Sequence, residues 1–134
     1  MTGPPPLEGI LETVVYCTTD TETPTRAFYE EVMGFRRLWE GGFAHRVGEK
    51  RHVFLVFNSD ESAHQESPPP HGARGSVHTC FVTTPDDFDS WRKHLESRDV
   101  DIVGELEWGD GKRSFYFSDP AGNLLEIADG DMWD

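Results

Sequence analysis

The chain has 134 residues, 36% of them hydrophobic and 12% aromatic, which suffices for the core of one compact domain and excludes two ordinary ones. Twelve lysines and arginines stand against 25 aspartates and glutamates, and the formal charge of −13 disfavours nucleic acids and anionic membranes as partners. Cys17 and Cys80 lie in apolar runs and no stretch has the length of a membrane span, which predicts a cytoplasmic protein with reduced thiols.

The first half of the chain predicts one strand, one helix and three strands. The run "ILETVVYCTT" is typical of a strand, and "TPTRAFYEEVMGF" has helical spacing with Gly34 marking the end of the helix. Three shorter runs, "RRLWEGG", "FAHRV" and "HVFLVFN", predict strands. We assign residues 10–58 to module one and the Pro-rich stretch 59–75 to a linker.

The same order recurs in the second half. A strand is predicted at "SVHTCFVTT", a helix at "PDDFDSWRKHLESRDV", and strands near "IVGELEW", "RSFYFS" and "NLLEIAD", with Asp110-Gly111 as a hairpin turn. We assign residues 76–129 to module two. The chain is therefore predicted to be a single domain, residues 1–134, of the α+β class, in which two tandem βαβββ modules curl their sheets around a shared cavity.

The repeat also aligns two polar residues of the first strands. Glu12 lies 22 residues before Gly34 and His78 lies 21 residues before Asp99, so Glu12 corresponds to His78. In the last strand, "NLLEIAD", Glu126 shares its face with Leu124 and Ala128, and alternation alone leaves it facing either solvent or a cavity. In a cavity the carboxylate would need a cation, a donor or a metal ion.

Two motifs resemble the vicinal oxygen chelate superfamily, which includes glyoxalases, extradiol dioxygenases and bleomycin-binding proteins. "YFSDPAGNLLEI" resembles the closing hairpin of that family, and "AFYEEVMGF" is similar to the end of its first helix. The resemblance implies a divalent metal ion held by Glu12, His78 and Glu126. The first-strand ligand of the family is more often His or Gln, so Thr13 stays open as an alternative to Glu12, and Phe54 falls where a fourth ligand would be.

Two functions follow as expectations from this resemblance. In the first, the protein is a metal-dependent lyase, isomerase or dioxygenase that acts on a small oxygen-chelating substrate, with Glu12 and Glu126 as catalytic carboxylates and Zn, Ni, Mn, Fe or Mg as the ion. The predicted substrate pocket contains His45, His71, Phe54, Tyr116 and Arg113. In the second, the protein is a metal-free small-molecule binder like the bleomycin-binding relatives. Exposed strand edges and apolar residues such as Trp133, together with the homodimers usual among relatives of the family, predict a homodimer.

Overall fold

A computed structural model describes residues 3–49 and 52–133 of the chain. Module one contains β1 (Glu12–Cys17), α1 (Glu22–Ala27) with a following π-helical turn (Phe28–Val32), β2 (Arg36–Arg37), β3 (Ala44–Val47) and β4 (His52–Asn58). A short helix in the linker, α2, covers Ser59–Ser62. Module two contains β5 (His78–Val82), α3 (Pro85–Ser97), β6 (Gly104–Glu107), β7 (Arg113–Ser118) and β8 (Leu124–Ala128). The α+β class with two repeated modules is confirmed.

The two modules form separate sheets of the same topology. In each sheet the first strand pairs in parallel with the last, giving the orders β1-β4-β3-β2 and β5-β8-β7-β6. The last strand therefore lies inside its sheet, between the first strand and the third. This arrangement places side chains of β1 beside those of β4, and side chains of β5 beside those of β8.

Local signals in the sequence account for the helix boundaries. The side chain of Thr84 accepts a hydrogen bond from the backbone N–H of Asp87, and Pro85 follows as the first residue of α3. At the end of the first helix Gly34 has φ +74°, the left-handed conformation that a glycine adopts without strain. No helix within residues 3–49 and 52–133 has the length and apolarity to cross a membrane.

One hydrophobic core joins both modules. It contains Val15 and Phe54 from module one and Phe117 and Leu125 from module two, and the ring of Phe81 lies 5.7 Å from that of Phe54. These residues lie on the helix-facing sides of their sheets. The opposite side of each sheet we call its open face.

The two open faces are defined by the strand registers. That of module one carries Glu12, Val14 and Tyr16 from β1 and Val53, Leu55 and Phe57 from β4. That of module two carries His78, Cys80 and Val82 from β5, Leu124, Glu126 and Ala128 from β8, Ser114, Tyr116 and Ser118 from β7, and Leu106 from β6.

The turn between β7 and β8 fastens the modules together. Asp119 accepts hydrogen bonds from the backbone N–H groups of Ala121 and Asn123, and it also accepts one from Tyr29 Oη at 2.6 Å. The amide of Asn123 donates to the backbone carbonyl of Tyr16 at 2.9 Å. Burial and then the neighbouring Asp119 charge raise the pKa of Tyr29, so its phenol stays protonated and keeps donating.

Candidate metal centre

Glu126 is buried on the open face of module two. It lies in the middle of β8, with β5 and β7 on either side, and only 3% of the residue is exposed. Its Oε2 atom is buried and has no hydrogen-bond partner. The alternation of β8 allowed Glu126 to face either solvent or a cavity, and the structure shows it buried. One of its two carboxylate oxygens is left without a hydrogen bond.

His78 supplies the nearest polar atom. Its Nδ1 lies 2.9 Å from the carbonyl oxygen of Leu124, and its Nε2 lies 3.1 Å from Glu126 Oε1. Because a carbonyl oxygen can only accept, Nδ1 is the nitrogen that carries the proton in a neutral imidazole. The lone pair of Nε2 then faces a carboxylate oxygen, and two acceptors at this distance need a proton or a cation between them.

This is the arrangement in which proteins orient histidine as a metal ligand. A ligating imidazole usually donates its other N–H to a backbone carbonyl or carboxylate, which fixes the tautomer and directs the free nitrogen at the ion. Imidazole nitrogen and carboxylate oxygen are both suitable donors for divalent ions. The pair therefore fits two ligands of a metal centre.

The groups beside Glu126 add no positive charge. Cys80 and Tyr116 are its register partners on β5 and β7. Partial burial and then the charge of Glu126 raise the pKa of the Cys80 thiol to about 12, and burial followed by the same carboxylate raises the pKa of Tyr116 despite an opposing hydrogen bond with Ser114. Both groups are neutral at pH 7, so neither offsets the carboxylate charge.

Comparisons with known proteins agree with this fold. Residues 10–127 match the profile of the Glyoxalase/Bleomycin resistance protein/Dioxygenase superfamily. The chain belongs to this superfamily. A lactoylglutathione lyase from Agrobacterium tumefaciens shares 30% identity over 96% of this chain and 98% of its own, with a TM-score of 0.83.

Other solved structures share the fold at lower identity. A glyoxalase/dioxygenase from Nostoc punctiforme is 18% identical over 96% of this chain and 94% of its own, with a TM-score of 0.69. An oxidase, ChaP-H2, is 19% identical over 96% of this chain and 98% of its own, with a TM-score of 0.68. At these identities the likeness concerns the fold alone.

Glu12 is separated from the other two predicted ligands within one chain. It is exposed on the open face of module one, whereas His78 and Glu126 lie on that of module two. Among the residues that the structure describes, no three His, Cys, Asp or Glu side chains are grouped closely enough to hold a metal ion. The third ligand therefore stays a prediction.

The register also identifies the module-one counterpart of Glu126. His78 pairs with Leu124 and Glu12 pairs with Val53, and two residues further along the last strands lie Glu126 and Leu55. Leu55, not Phe54, is thus the position at which module one lacks a ligand. Since neighbouring positions of a strand face opposite sides, the one-residue shift moves this position from the core to the open face.

Three predicted pocket residues lie on helix-facing sides instead of the open faces. Phe54 is 2% exposed and packs in the aromatic core, and His45 beside it is fully buried with Nε2 2.9 Å from Glu30 Oε2. Arg113 forms ion pairs with Asp129 and Asp89 and lies over the ring of Phe88. The sequence reveals that these polar and aromatic residues lie in strands. Which side of the sheet each one faces depends on how the strands pair.

The other two predicted pocket residues lie on open faces, one in each module. Tyr116 is on the face of Glu126, with its ring centroid 6.1 Å from that of His78. His71, in the linker, covers the open face of module one, where its Nδ1 lies 2.7 Å from Tyr16 Oη and its ring contacts Phe57. Tyr16 was not predicted as a polar contact, although its place on the Glu12 face follows from the alternation of β1.

Proposed function

We propose that the protein is a metal-dependent enzyme of the glyoxalase/dioxygenase type that acts on a small substrate chelating through two oxygens. The observation that carries the proposal is His78 Nε2 lying 3.1 Å from the buried Glu126, whose second oxygen has no partner, while His78 Nδ1 lies 2.9 Å from the carbonyl oxygen of Leu124. The name of the lactoylglutathione lyase to which the chain is 30% identical supports lyase chemistry.

Each residue of the site has a distinct part in this proposal. His78 and Glu126 would hold a divalent ion, one of Zn, Ni, Mn, Fe or Mg, which when bound supplies Lewis acidity toward substrate oxygens. The carbonyl of Leu124 fixes the imidazole tautomer. We assign proton transfer at the substrate carbon to the carboxylates of Glu12 and Glu126, and a contact with the substrate to Tyr116.

The decisive experiment measures ion binding without reference to a reaction. Purified protein would be analysed for metal content, and Zn, Ni, Mn, Fe and Mg would each be titrated while the melting temperature is recorded. We expect about one ion per chain with at least one of these metals, and loss of binding in His78→Ala. Failure of all five ions to bind, or a His78→Ala variant that binds like the wild type, would overturn the proposal.

We further propose a homodimer in the cytoplasm. Val82 and Leu106, both on the open face of module two, are 70% and 49% exposed, and a second copy could cover them. Because Glu12 lies on another sheet than His78 and Glu126 and is not grouped with them among the described residues, its proposed role as a ligand requires a second copy. Both cysteines are free, which supports a reducing compartment. Light scattering at micromolar concentration should give twice the chain mass, and a monomeric mass would contradict the dimer.

A second candidate function is metal-free binding of a small aromatic or cationic molecule. It is favoured by the uncompensated carboxylate of Glu126, which a cationic ligand could neutralise, and by the exposed apolar side chains around it. The ion titration separates the two functions, because this candidate predicts no change in melting temperature with any of the five metals.

A further inference from the structure

Trp108 is held over the open face of module two by its own hydrogen bond. The indole Nε1 donates to Ser114 Oγ at 2.9 Å, and Ser114 is 1% exposed whereas Trp108 is 38% exposed. The backbone at this point is fixed as well, because Trp108 N–H donates to the carbonyl of Lys112 across the Asp110-Gly111 turn. The ring therefore has a defined position and still presents a solvent-accessible surface.

This position is one pleat away from the candidate metal centre. Ser114, Ala128 and Val82 form one row across β7, β8 and β5, and Tyr116, Glu126 and Cys80 form the next row on the same face. Residues two apart on a strand are separated by about 7 Å. A substituent on a molecule bound at Glu126 and His78 can therefore reach the indole.

The surroundings of Trp108 select for an uncharged substituent. Leu106, which is opposite Ser114 on β6, and Val82, which lies in the same row on β5, are apolar. The strand positions that form this face, all of them within the described residues, include no lysine or arginine. The ammonium of Lys112, the residue opposite Trp108 across the turn, already donates to the carbonyl oxygen of Asp131. An anionic substituent would therefore gain little from it, whereas an aromatic ring could bury apolar area and stack on the indole.

We propose that Trp108 is a specificity-determining residue that binds an aromatic or other apolar substituent of the oxygen-chelating substrate. The proposal rests on the proposed function, since it places the chelating oxygens at the site of His78 and Glu126. It adds the class of substrate: a compact oxygen chelator with an uncharged ring, in preference to one with a carboxylate or phosphate at that position.

The test compares two chelators that differ in one substituent. Benzohydroxamate and acetohydroxamate bind a metal through the same oxygens and differ by a phenyl in place of a methyl group. With Ni²⁺-loaded protein, calorimetry should show that Trp108→Ala weakens benzohydroxamate binding about tenfold and leaves acetohydroxamate binding within about twofold. Trp108→Phe, which keeps an aromatic ring, should lose less than Trp108→Ala.

A matched control is Trp39→Ala, since Trp39 is also exposed, at 64%, but belongs to module one. It should leave both affinities unchanged. If Trp108→Ala weakens both chelators equally or neither of them, while Ni²⁺ still binds, the role of Trp108 is refuted and the proposed function survives.

A second measurement, made without metal, tests the role of Trp108 even if Ni²⁺ does not bind and the proposed function is wrong. In protein labelled with 5-fluorotryptophan, the resonance of Trp108, assigned from Trp108→Phe, should shift with benzyl alcohol and not with acetate. A shift supports the aromatic-binding role of Trp108 even then. An unchanged resonance would overturn it.

Discussion

Each module contains a glutamate–histidine pair with a similar contact and opposite surroundings. Glu30 and His45 approach to 2.9 Å in module one, and Glu126 and His78 approach to 3.1 Å in module two. In module one the imidazole is the fully buried partner and the carboxylate is partly exposed, whereas in module two the carboxylate is buried and 46% of the imidazole is exposed.

The difference lies in how the carboxylate charge is compensated. Both oxygens of Glu30 accept hydrogen bonds from the guanidinium of Arg37, and His45 Nε2 can donate to it as well. With His78 Nδ1 donating to the carbonyl of Leu124, the nitrogen that Glu126 faces is an acceptor in a neutral imidazole, and Glu126 Oε2 has no partner. In module one both carboxylate oxygens are satisfied and the atom without a partner is His45 Nδ1, whereas in module two the atom without a partner is the carboxylate oxygen Glu126 Oε2, which suits a cation.

The largest expected effect concerns ion binding at Glu126 and His78. Glu126→Gln should weaken binding of the preferred ion by at least about 100-fold, because a neutral amide is a poor substitute for a carboxylate ligand. The ion-free variant should be as stable as the wild type or more stable, since burial of an amide costs less than burial of an unpaired charge. Calorimetry and thermal unfolding check the two parts, and Glu30→Gln is the control that should bind the ion normally.

Replacing each of the two histidines should reduce the stability of the protein by different amounts. His45→Ala should lower the free energy of unfolding by about 2–4 kcal/mol, because it opens a cavity in a fully buried site. His78→Ala should cost at most about 1 kcal/mol in the ion-free protein, since the side chain is half exposed. Urea denaturation measures both values. Equal losses of free energy of unfolding in the two variants would show that the burial of the two imidazoles does not distinguish the pairs.

The Glu30 carboxylate should also give a pH-dependent contribution to stability. Burial opposes ionisation of Glu30, but hydrogen bonds from Arg37 and His45 outweigh it and lower its pKa below the ordinary 4.5. A carboxyl with a lower pKa in the folded state stabilises the fold above the unfolded value, and the contribution disappears as the pH falls through the folded one. Glu30→Gln should therefore cost about 1 kcal/mol at pH 7. The difference in free energy of unfolding between the two proteins should shrink as the pH falls below 4.5 and through the lowered pKa of Glu30, and a constant difference would contradict this reasoning.

The smallest expected effect concerns Glu12, the proposed ligand from a second copy. Glu12→Gln should weaken ion binding by about tenfold in the dimer, and because the residue is exposed the melting temperature without ion should stay the same. Glu107→Gln, an exposed control in module two, should change neither quantity. If Glu12→Gln binds the ion as tightly as the wild type, Glu12 is not a ligand.

Much of the architecture could be predicted from the sequence alone. The repeated order of elements, the end of the first helix at Gly34 and the Asp110-Gly111 turn depend on local conformational preference and on periodicity, which the sequence records directly. Both residues of that turn have positive φ in the structure. The family resemblance rested on the closing hairpin, whose Asp119 and Asn123 join the modules.

Tertiary structure alone decided which polar residues meet. The alternation of β8 left two directions for Glu126, and only its position between β5 and β7 buries it. From the sequence, Phe54 and His45 could each face either side of their sheet. The register of β3 and β4 pairs them and places both in the core. The separation of Glu12 from His78 could not be predicted, because it depends on packing two sheets through their helix-facing sides. Such packing is long-range, whereas periodicity reports only on neighbours along the chain.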